Sequence, residues 1–386
     1  MKLYDHQKRA SKQLRKKLSK HGFVIFAAQE RVGKTLSFVD VAERGYSNIL
    51  IVTKKEAISS IQEQMEAFGI TKHYDIINYA MLHRIHKANY DLVVLDEFHQ
   101  AVCSYPKPSA TYKKLLPICK DAEVVFVSAT PFPETMSQCF HPLKLGKYSL
   151  WDNYTNFYDW FKDYGIVNTM FIHGRQIKQY NETKPVNLSK YRVTGTRKEA
   201  GFKYEPVDKL HTIKLKKRTK KDIKTYKEDK VIDEIYPLDS AMAEMNAVYS
   251  RSGGAVITED GVIWKSSEKI DYVTDNFDPA NTAIMCHYKH EQSRLAELFP
   301  HVYSSTSHAE GVDLSHFENL VIYSMSFSTA KFSQRRARQA NIKRDSPIIV
   351  HFLIADAGLD RHVYDMVAVK NKNFTMRTYR DGKTNF

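Results

Sequence analysis

Residues Ala28-Gln29-Glu30-Arg31-Val32-Gly33-Lys34-Thr35 set a glycine, a lysine and a hydroxyl side by side. They lie between an apolar run, FVIFAA, and a segment of helical periodicity, LSFVDVAER. That order suits a polyphosphate. The backbone N–H groups that open a helix make a concave anion site, and Gly33 lets the chain come close to the phosphates. Lys34 would reach the β- and γ-phosphates, and the Thr35 hydroxyl would ligate Mg²⁺. The pattern A-x-x-x-x-G-K-T departs from the usual phosphate-loop wording at Ala28, where a small residue is nonetheless kept. A second apolar run, LVVL, ends in Asp96 and Glu97. One carboxylate there can hold the Mg²⁺ shell and its neighbour can polarise an attacking water. Read together, the two segments specify ATP and Mg²⁺ as cofactors and hydrolysis as the chemistry.

These groups need a sheet to carry them. Short β-branched runs recur at 23–28, 49–53, 92–96 and 124–128, with helical segments such as EAISSIQEQMEAFG between them. Apolar runs without alternation fit strands buried on both faces, which means a parallel sheet with crossover helices. The rhythm returns at 282–287, 302–306, 320–324 and 347–354, whereas residues 150 to about 250 break it with clustered aromatics and lysines. The fold class is therefore α/β, with boundaries expected at 1–148 for a first domain, 149–250 for an irregular, partly helical insert, and 251–386 for a second domain.

The 386 residues carry a formal net charge of +14, which points to an anionic partner, nucleic acid first. The four cysteines, Cys103, Cys119, Cys139 and Cys286, form no C-x-x-C pair, and read as buried thiols of a reducing cytoplasm. The basic start has no apolar core of a signal peptide, and no run is long enough to span a bilayer, so no membrane role is expected.

Several further stretches carry a resemblance. Asp96-Glu97-Phe98-His99 resembles the D-E-A-H box of superfamily 2 helicases and translocases, with Phe98 in place of alanine. Ser128-Ala129-Thr130 resembles that superfamily's S-A-T motif, which with His99 couples nucleotide state to nucleic-acid contacts. LYDHQKRA resembles the glutamine motif, in which Gln7 reads the adenine edge. Residues 305–314 resemble the fifth motif, implying Thr306 on the nucleic-acid backbone and Gly311 and Asp313 near the nucleotide. QRRARQ at 334–339 resembles the sixth motif, with Gln334 and Arg338 in register. Its second arginine falls at Asn341, with Arg335, Arg336, Lys343 and Arg344 as nearby cations. The order of these pieces, with IINYAML and GGAVITEDGVIWKSSEKID, is similar to the Snf-like branch and to small helicases of phage genomes. The resemblance implies two RecA-like parallel-sheet domains and an ATP-driven motor acting on DNA, duplex or branched.

In that family the polymer is held by hydroxyls, amides and basic side chains, so Thr53 and Lys54 after the strand ILIV are expected backbone contacts, with Thr306 their counterpart. The lysine-rich stretch 211–230 reads either as a clamp on the duplex or as a solvated face. The aromatics Trp151, Tyr154, Phe157, Tyr158, Trp160, Phe161 and Tyr164 can stack on bases, but their helical spacing favours packing. Two other functions fit the same residues: an RNA-dependent ATPase of the superfamily, and a slow, ATP-switched nucleic-acid binder, which Asn341 keeps open.

Overall fold

In the computed structural model, residues 3–85, 89–172, 175–233, 236–304 and 314–382 are described. The chain divides into two units, Met1–Phe202 and Lys203–Phe386. The first runs α1 (Asp5–His21), β1 (Phe23–Ala28), α2 (Lys34–Gly45), β2 (Ile49–Thr53), α3 (Ile58–Ala67), β3 (Asp75–Asn78), β4 (Leu92–Asp96), α4 (Ala110–Cys119) and β5 (Glu123–Val127). It ends with α5 (Phe157–Tyr164), a hairpin of β6 (Gly165–Ile172) and β7 (Arg175–Thr183), and β8 (Arg192–Gly195). Six strands form one parallel sheet in the order β3-β2-β4-β5-β1-β8.

The sheet is buried on both sides, as its unalternating strands require. Phe23, Ile25 and Ala27 of β1 face one core with Val93, Leu95, Val124 and Phe126. Val24, Phe26 and Ala28 face the other, under α1 and α2. Helix α1 turns Gln7, Ser11, Leu14 and Leu18 inward at spacings of four and three, one stripe of a helix, and leaves its lysines to solvent. Trp151, Phe157, Trp160 and Phe161 are buried in the first core, so packing is the role these aromatics take. Tyr158, by contrast, is largely exposed. The hairpin is clipped at its base, where Thr135 Oγ1 donates to the Asn181 carbonyl at 2.5 Å and Ser137 Oγ to the Tyr180 carbonyl at 2.6 Å.

The second unit runs β9 (Pro206–Ile213), α6 (Lys217–Glu228), β10 (Val231–Ile232), β11 (Tyr236–Pro237), α7 (Ala241–Ser252), β12 (Ala255–Thr258) and β13 (Gly261–Trp264). After α8 (Glu268–Asn276) come β14 (Thr282–Cys286), α9 (Lys289–Leu295), β15 (Val302–Ser304), β16 (Asn319–Ile322), α10 (Thr329–Arg336), β17 (Ile348–Ala355) and α11 (Asp360–Tyr364). Its parallel sheet has the order β15-β14-β16-β17-β9. Two parallel α/β sheets are the fold class expected of RecA-like domains.

The insert is where expectation and structure part. Residues 149–250 form no third body: α5, the hairpin and β8 belong to the first unit, and β9, α6 and α7 to the second, with the division between Phe202 and Lys203. β8 and β9 each pair with a strand far away in sequence, β1 and β17 respectively.

On the second sheet, Tyr272, His211 and His351 form a hydrogen-bonded chain. The Tyr272 hydroxyl lies 2.7 Å from His211 Nδ1, and His211 Nε2 lies 2.8 Å from His351 Nδ1. Burial, with the charges of His211 and Lys209 beside it, pushes His351 down to about 4, and burial holds His290 down to about 4. The unfolded chain takes up these protons near the ordinary value of 6.5, whereas the folded protein refuses them until about pH 4. The unfolded state therefore binds more protons within that window, and stability rises with pH across it. Lowering the pH from 6.5 to 4 should lower the unfolding free energy read from urea titrations, by at most about 1.4 kcal/mol per pH unit for each histidine. His351→Gln should flatten that slope, and an unchanged slope would show that His351 does not carry it.

Candidate functional site

The strand order brings the chemistry to one rim. β1, β5, β4 and β2 are successive neighbours, and all end at the same edge of the first sheet. Along that edge stand the loop 29–33 after β1, Ser128 after β5, Asp96 at the end of β4 and Thr53 at the end of β2. The register is tight: Asp96 pairs with Val127, and Val52 with Leu95, so Thr53 and Asp96 end level.

The phosphate-type loop is built as its residues require. Gly33 takes a left-handed φ of +74° at the start of α2, and no side chain caps that helix. The first-turn amides of α2 thus have no capping side chain among the described residues, which leaves them suited to an anion. Lys34 Nζ donates to the Ala28 carbonyl at 3.2 Å, folded back across the loop that it follows. Thr35 stands half-buried one residue on. The loop is fastened from both flanks. His6 Nε2 meets the Val32 carbonyl at 3.0 Å, and Gln7 Nε2 donates to the Gly33 carbonyl at 3.4 Å. From the far side, Gln29 N donates to the Gly195 carbonyl at 2.8 Å and Arg197 N to Gln29 Oε1 at 2.7 Å.

The carboxylates are held with equal care. Thr53 Oγ1 donates to Asp96 Oδ2 at 2.8 Å, and the Tyr79 hydroxyl donates to the Asp96 carbonyl at the same distance. Glu97 adopts a left-handed φ of +49°, a strained conformation for a residue with a side chain, which turns the chain sharply after the strand. Phe98 swings into the core against Phe126 and Phe132, at ring separations of 5.2 and 5.8 Å. His99 Nδ1 lies 2.8 Å from Ser128 Oγ and 3.3 Å from Glu97 Oε2, while Ser128 Oγ accepts from Thr130 N at 3.0 Å. Burial, with the positive charges of Lys54 and Lys34 nearby, lowers His99 to about 3, so its imidazole is neutral. Its Nε2 has no partner among the described residues, which favours the tautomer with the proton on Nδ1, facing Ser128 and Glu97. His99, Ser128 and Thr130, with Ala129 between the last two, thus form one connected bridge from β4 to β5.

Thr53 is a correction. Expected to touch nucleic acid, it has no exposed surface and instead orients Asp96, because the last inward position of β2 faces β4. Lys54, next along, is half-buried. Gln7 is also engaged within the protein at both ends of its amide, since Oε1 accepts from Tyr4 N at 3.0 Å. The sequence missed Tyr79, His6 and the Gly195–Arg197 clasp. Tyr79 lies in IINYAML, which carries a resemblance but no assigned contact, and the clasp comes from β8, within the residues 149–250 that read as an insert. Beside the loop, between α1 and the end of β8, lies a cavity of about 130 Å³ lined by His6, Arg9, Val32, Thr196 and Glu199 among others.

In the second unit Thr306, Gly311 and Asp313 lie outside the described residues. Gln334 is buried on α10, and its Oε1 has no partner among the described residues. Of the neighbouring cations, Arg336 is tied to Asp208 and to the Pro206 carbonyl, and Arg344 donates to the Ser315 and Phe317 carbonyls at 3.0 and 3.2 Å. Asn341 Nδ2 donates to Ser315 Oγ at 3.1 Å. Arg335 is buried, with Nε and Nη2 unpartnered among the described residues, and burial lowers its guanidinium to about 10. Arg338 lies three residues on, just past α10.

Comparison with models of protein families and with curated proteins returns no match. Among solved structures the chain is similar to the SWI2/SNF2 ATPase core of Sulfolobus solfataricus in complex with dsDNA, at 12% identity and a TM-score of 0.42, over 99% of this chain and 93% of that one. It is likewise similar to the SWI2/SNF2 ATPase core domain of the same organism, at 13% identity and a TM-score of 0.42, over 96% and 89% of the two chains.

The loop geometry makes a direct prediction. A Cβ on Gly33 would lie 2.1 Å from Gln7 Nε2, and the φ there is left-handed. Gly33→Ala should therefore destabilise the protein by roughly 1–2 kcal/mol from the backbone alone, and by more from the collision. Adding Gln7→Ala should recover the collision part, so the two substitutions should be non-additive in urea unfolding. Additive losses would mean that Gln7 does not pack on the loop.

Proposed function

We propose that the chain is an ATPase that hydrolyses Mg·ATP to move along or remodel DNA, duplex or branched. The observation that carries the reading is the rim itself. A helix start behind Gly33-Lys34-Thr35 with no side-chain cap, and a carboxylate pair whose Asp96 is held by Thr53, stand on strand ends of one sheet. The residues fit Mg·ATP: α2 and Lys34 would bind the phosphates, and Thr35 with Asp96 would hold the metal, whose charge steadies the transferring phosphoryl group. Glu97 would accept a proton from water. Neutral His99, two residues after Glu97, is joined through Ser128 to Thr130, in the loop after β5 that the resemblance associates with nucleic acid. The small cavity beside the loop supports a base subsite there, with Gln7 buttressing the loop. Gln334 and Arg338 are proposed, on the motif resemblance, to assist hydrolysis. Arg336 and Arg344 are weaker candidates because both are tied to carbonyls or a carboxylate. A nucleic-acid partner is supported by the charge of +14, and DNA as the polymer by the motif order. RNA is the outcome that would replace it.

Lys34→Ala should lose most turnover while staying folded. Glu97→Gln should bind Mg·ATP yet turn it over about 10²-fold or more slowly, as expected on loss of a general base. Thr53→Val, which keeps shape and removes the donor to Asp96, should cost about tenfold in turnover, corresponding to roughly 1.4 kcal/mol. Arg338→Ala should slow hydrolysis with little loss of ATP binding. Each is read by steady-state turnover beside nucleotide titration, and wild-type rates in well-folded Lys34→Ala and Glu97→Gln would remove the assignment. Turnover should rise most with duplex or forked DNA. Stimulation by RNA alone would overturn the choice of polymer.

A further inference from the structure

The second unit carries an open groove of about 610 Å³ that none of the proposed nucleotide chemistry uses. One wall is helix α6, which lines it with Lys220, Ile223, Lys224 and Lys227, and the other is the turn 355–358 with Arg361 beyond it. Positions i, i+3, i+4 and i+7 are one face of a helix. Within the lysine-rich stretch, which the sequence leaves as either a clamp or a solvated face, lies a helix that lays three of its cations along a crevice. The groove opens beyond the carboxyl ends of β9 and β17, through Thr212 and Ala355, the part of an open parallel sheet where ligands bind.

The walls are fixed. Asp356 receives Leu215 N at 3.0 Å and Lys220 Nζ at 2.7 Å, and its own N–H donates to the Ile213 carbonyl at 2.9 Å. One residue therefore joins the end of β9, the start of α6 and the turn after β17. Gly358 has a φ of +99°, and a Cβ there would lie 3.1 Å from Ser252 Cβ, so the turn runs tight against α7. The floor is apolar, from Ile223 and Ile354. Lys220 is neutralised by Asp356. Among the described residues Lys224 has only a loose 3.8 Å pair with Glu228 between two well-exposed side chains, and Arg361 only a neighbour, Asp365, at 3.1 Å. Such exposed pairs are weak and give way to a stronger anion. A rise of 1.5 Å per residue sets Lys224 and Lys227 about 4.5 Å apart along the axis, close enough to meet successive charges of a polymer.

We propose that this groove holds the phosphodiester backbone of nucleic acid, with Lys224, Lys227 and Arg361 as the phosphate contacts. The occupant is chosen by charge: four lining cations against Glu228 and Asp356, on a chain of net charge +14. The inference rests on the reading of the chain as a nucleic-acid-stimulated ATPase, and supplies it with a sequence-independent hold on the second unit.

The test compares two double variants of the full chain with the same loss of charge on or near the same helix. Lys224→Gln with Arg361→Gln removes groove contacts, whereas Lys217→Gln with Lys221→Gln removes exposed cations of α6 that do not line it. Binding to a fluorescent duplex is followed by anisotropy from 50 to 200 mM salt. Losing two phosphate contacts should reduce the slope of log K against log salt by about 1.8, so wild type should lose about twelvefold more affinity than the groove variant over that range. The control pair should stay within about twofold of wild type in affinity, and Lys224→Arg should retain wild-type binding. Equal effects of the two pairs, or no effect of the groove pair, would overturn the groove. ATP turnover at saturating duplex separates the two readings: DNA-stimulated turnover with indistinguishable pairs removes the groove alone. Turnover indifferent to every polynucleotide removes the function and the groove with it.

Discussion

The hydrogen bond from Thr53 to Asp96 is the constraint around which the first unit is arranged. It needs β2 and β4 to be neighbours and to end level, which a parallel sheet of this order provides. It also needs the donor to be buried, because water would otherwise compete for the carboxylate. Once Asp96 is fixed, Glu97 must turn at once to leave the strand, and its left-handed backbone accomplishes this. Phe98 then fills the core below, and His99 reaches across to Ser128. The four residues of the acidic motif therefore answer to four different demands: metal charge, proton acceptance, packing and cross-strand linkage.

Much of this was legible in the sequence because its signals are local. A phosphate loop, an acid pair at the end of an apolar run and the S-A-T turn each occupy a few contiguous residues, and their strand contexts follow from unbroken β-branched runs. What escaped depends on partners far away. The side on which Thr53 faces is set by β4, more than forty residues on. β8 and β9 read as irregular because RVTG is short and PVDKLHTI carries polar pairs at 208–209 and 211–212, which edge strands of these sheets tolerate. Only the distant partners β1 and β17 make them strands. Gln7 shows a subtler limit: its residue type announces hydrogen bonding, but not that both ends of the amide are satisfied internally.

The aromatic cluster illustrates how spacing and composition compete. Seven rings in fourteen residues invite a stacking role, yet helical spacing turns Phe157, Trp160 and Phe161 into one core with Trp151, and exposes Tyr158. The lysines of α6 obey the same geometry with the opposite result, since the face turned outward is the one that gathers charge along a groove.

The clasp at Gly195 and Arg197 also has a temporal side. The groups that steady the loop after β1 lie about 168 residues downstream of it, the separation between Arg197 and Gln29. During synthesis from the N-terminus, β1 through β5 can pair while β8 is still unmade, leaving β1 as an open edge. Contacts of such separation close late, because a long loop must first lose its freedom. A nascent chain stopped before β8 would thus own every residue of the phosphate loop, and His6 and Gln7 on one flank, yet lack the brace on the other. The last strand added to the first sheet is the one that locks the first loop in the chain.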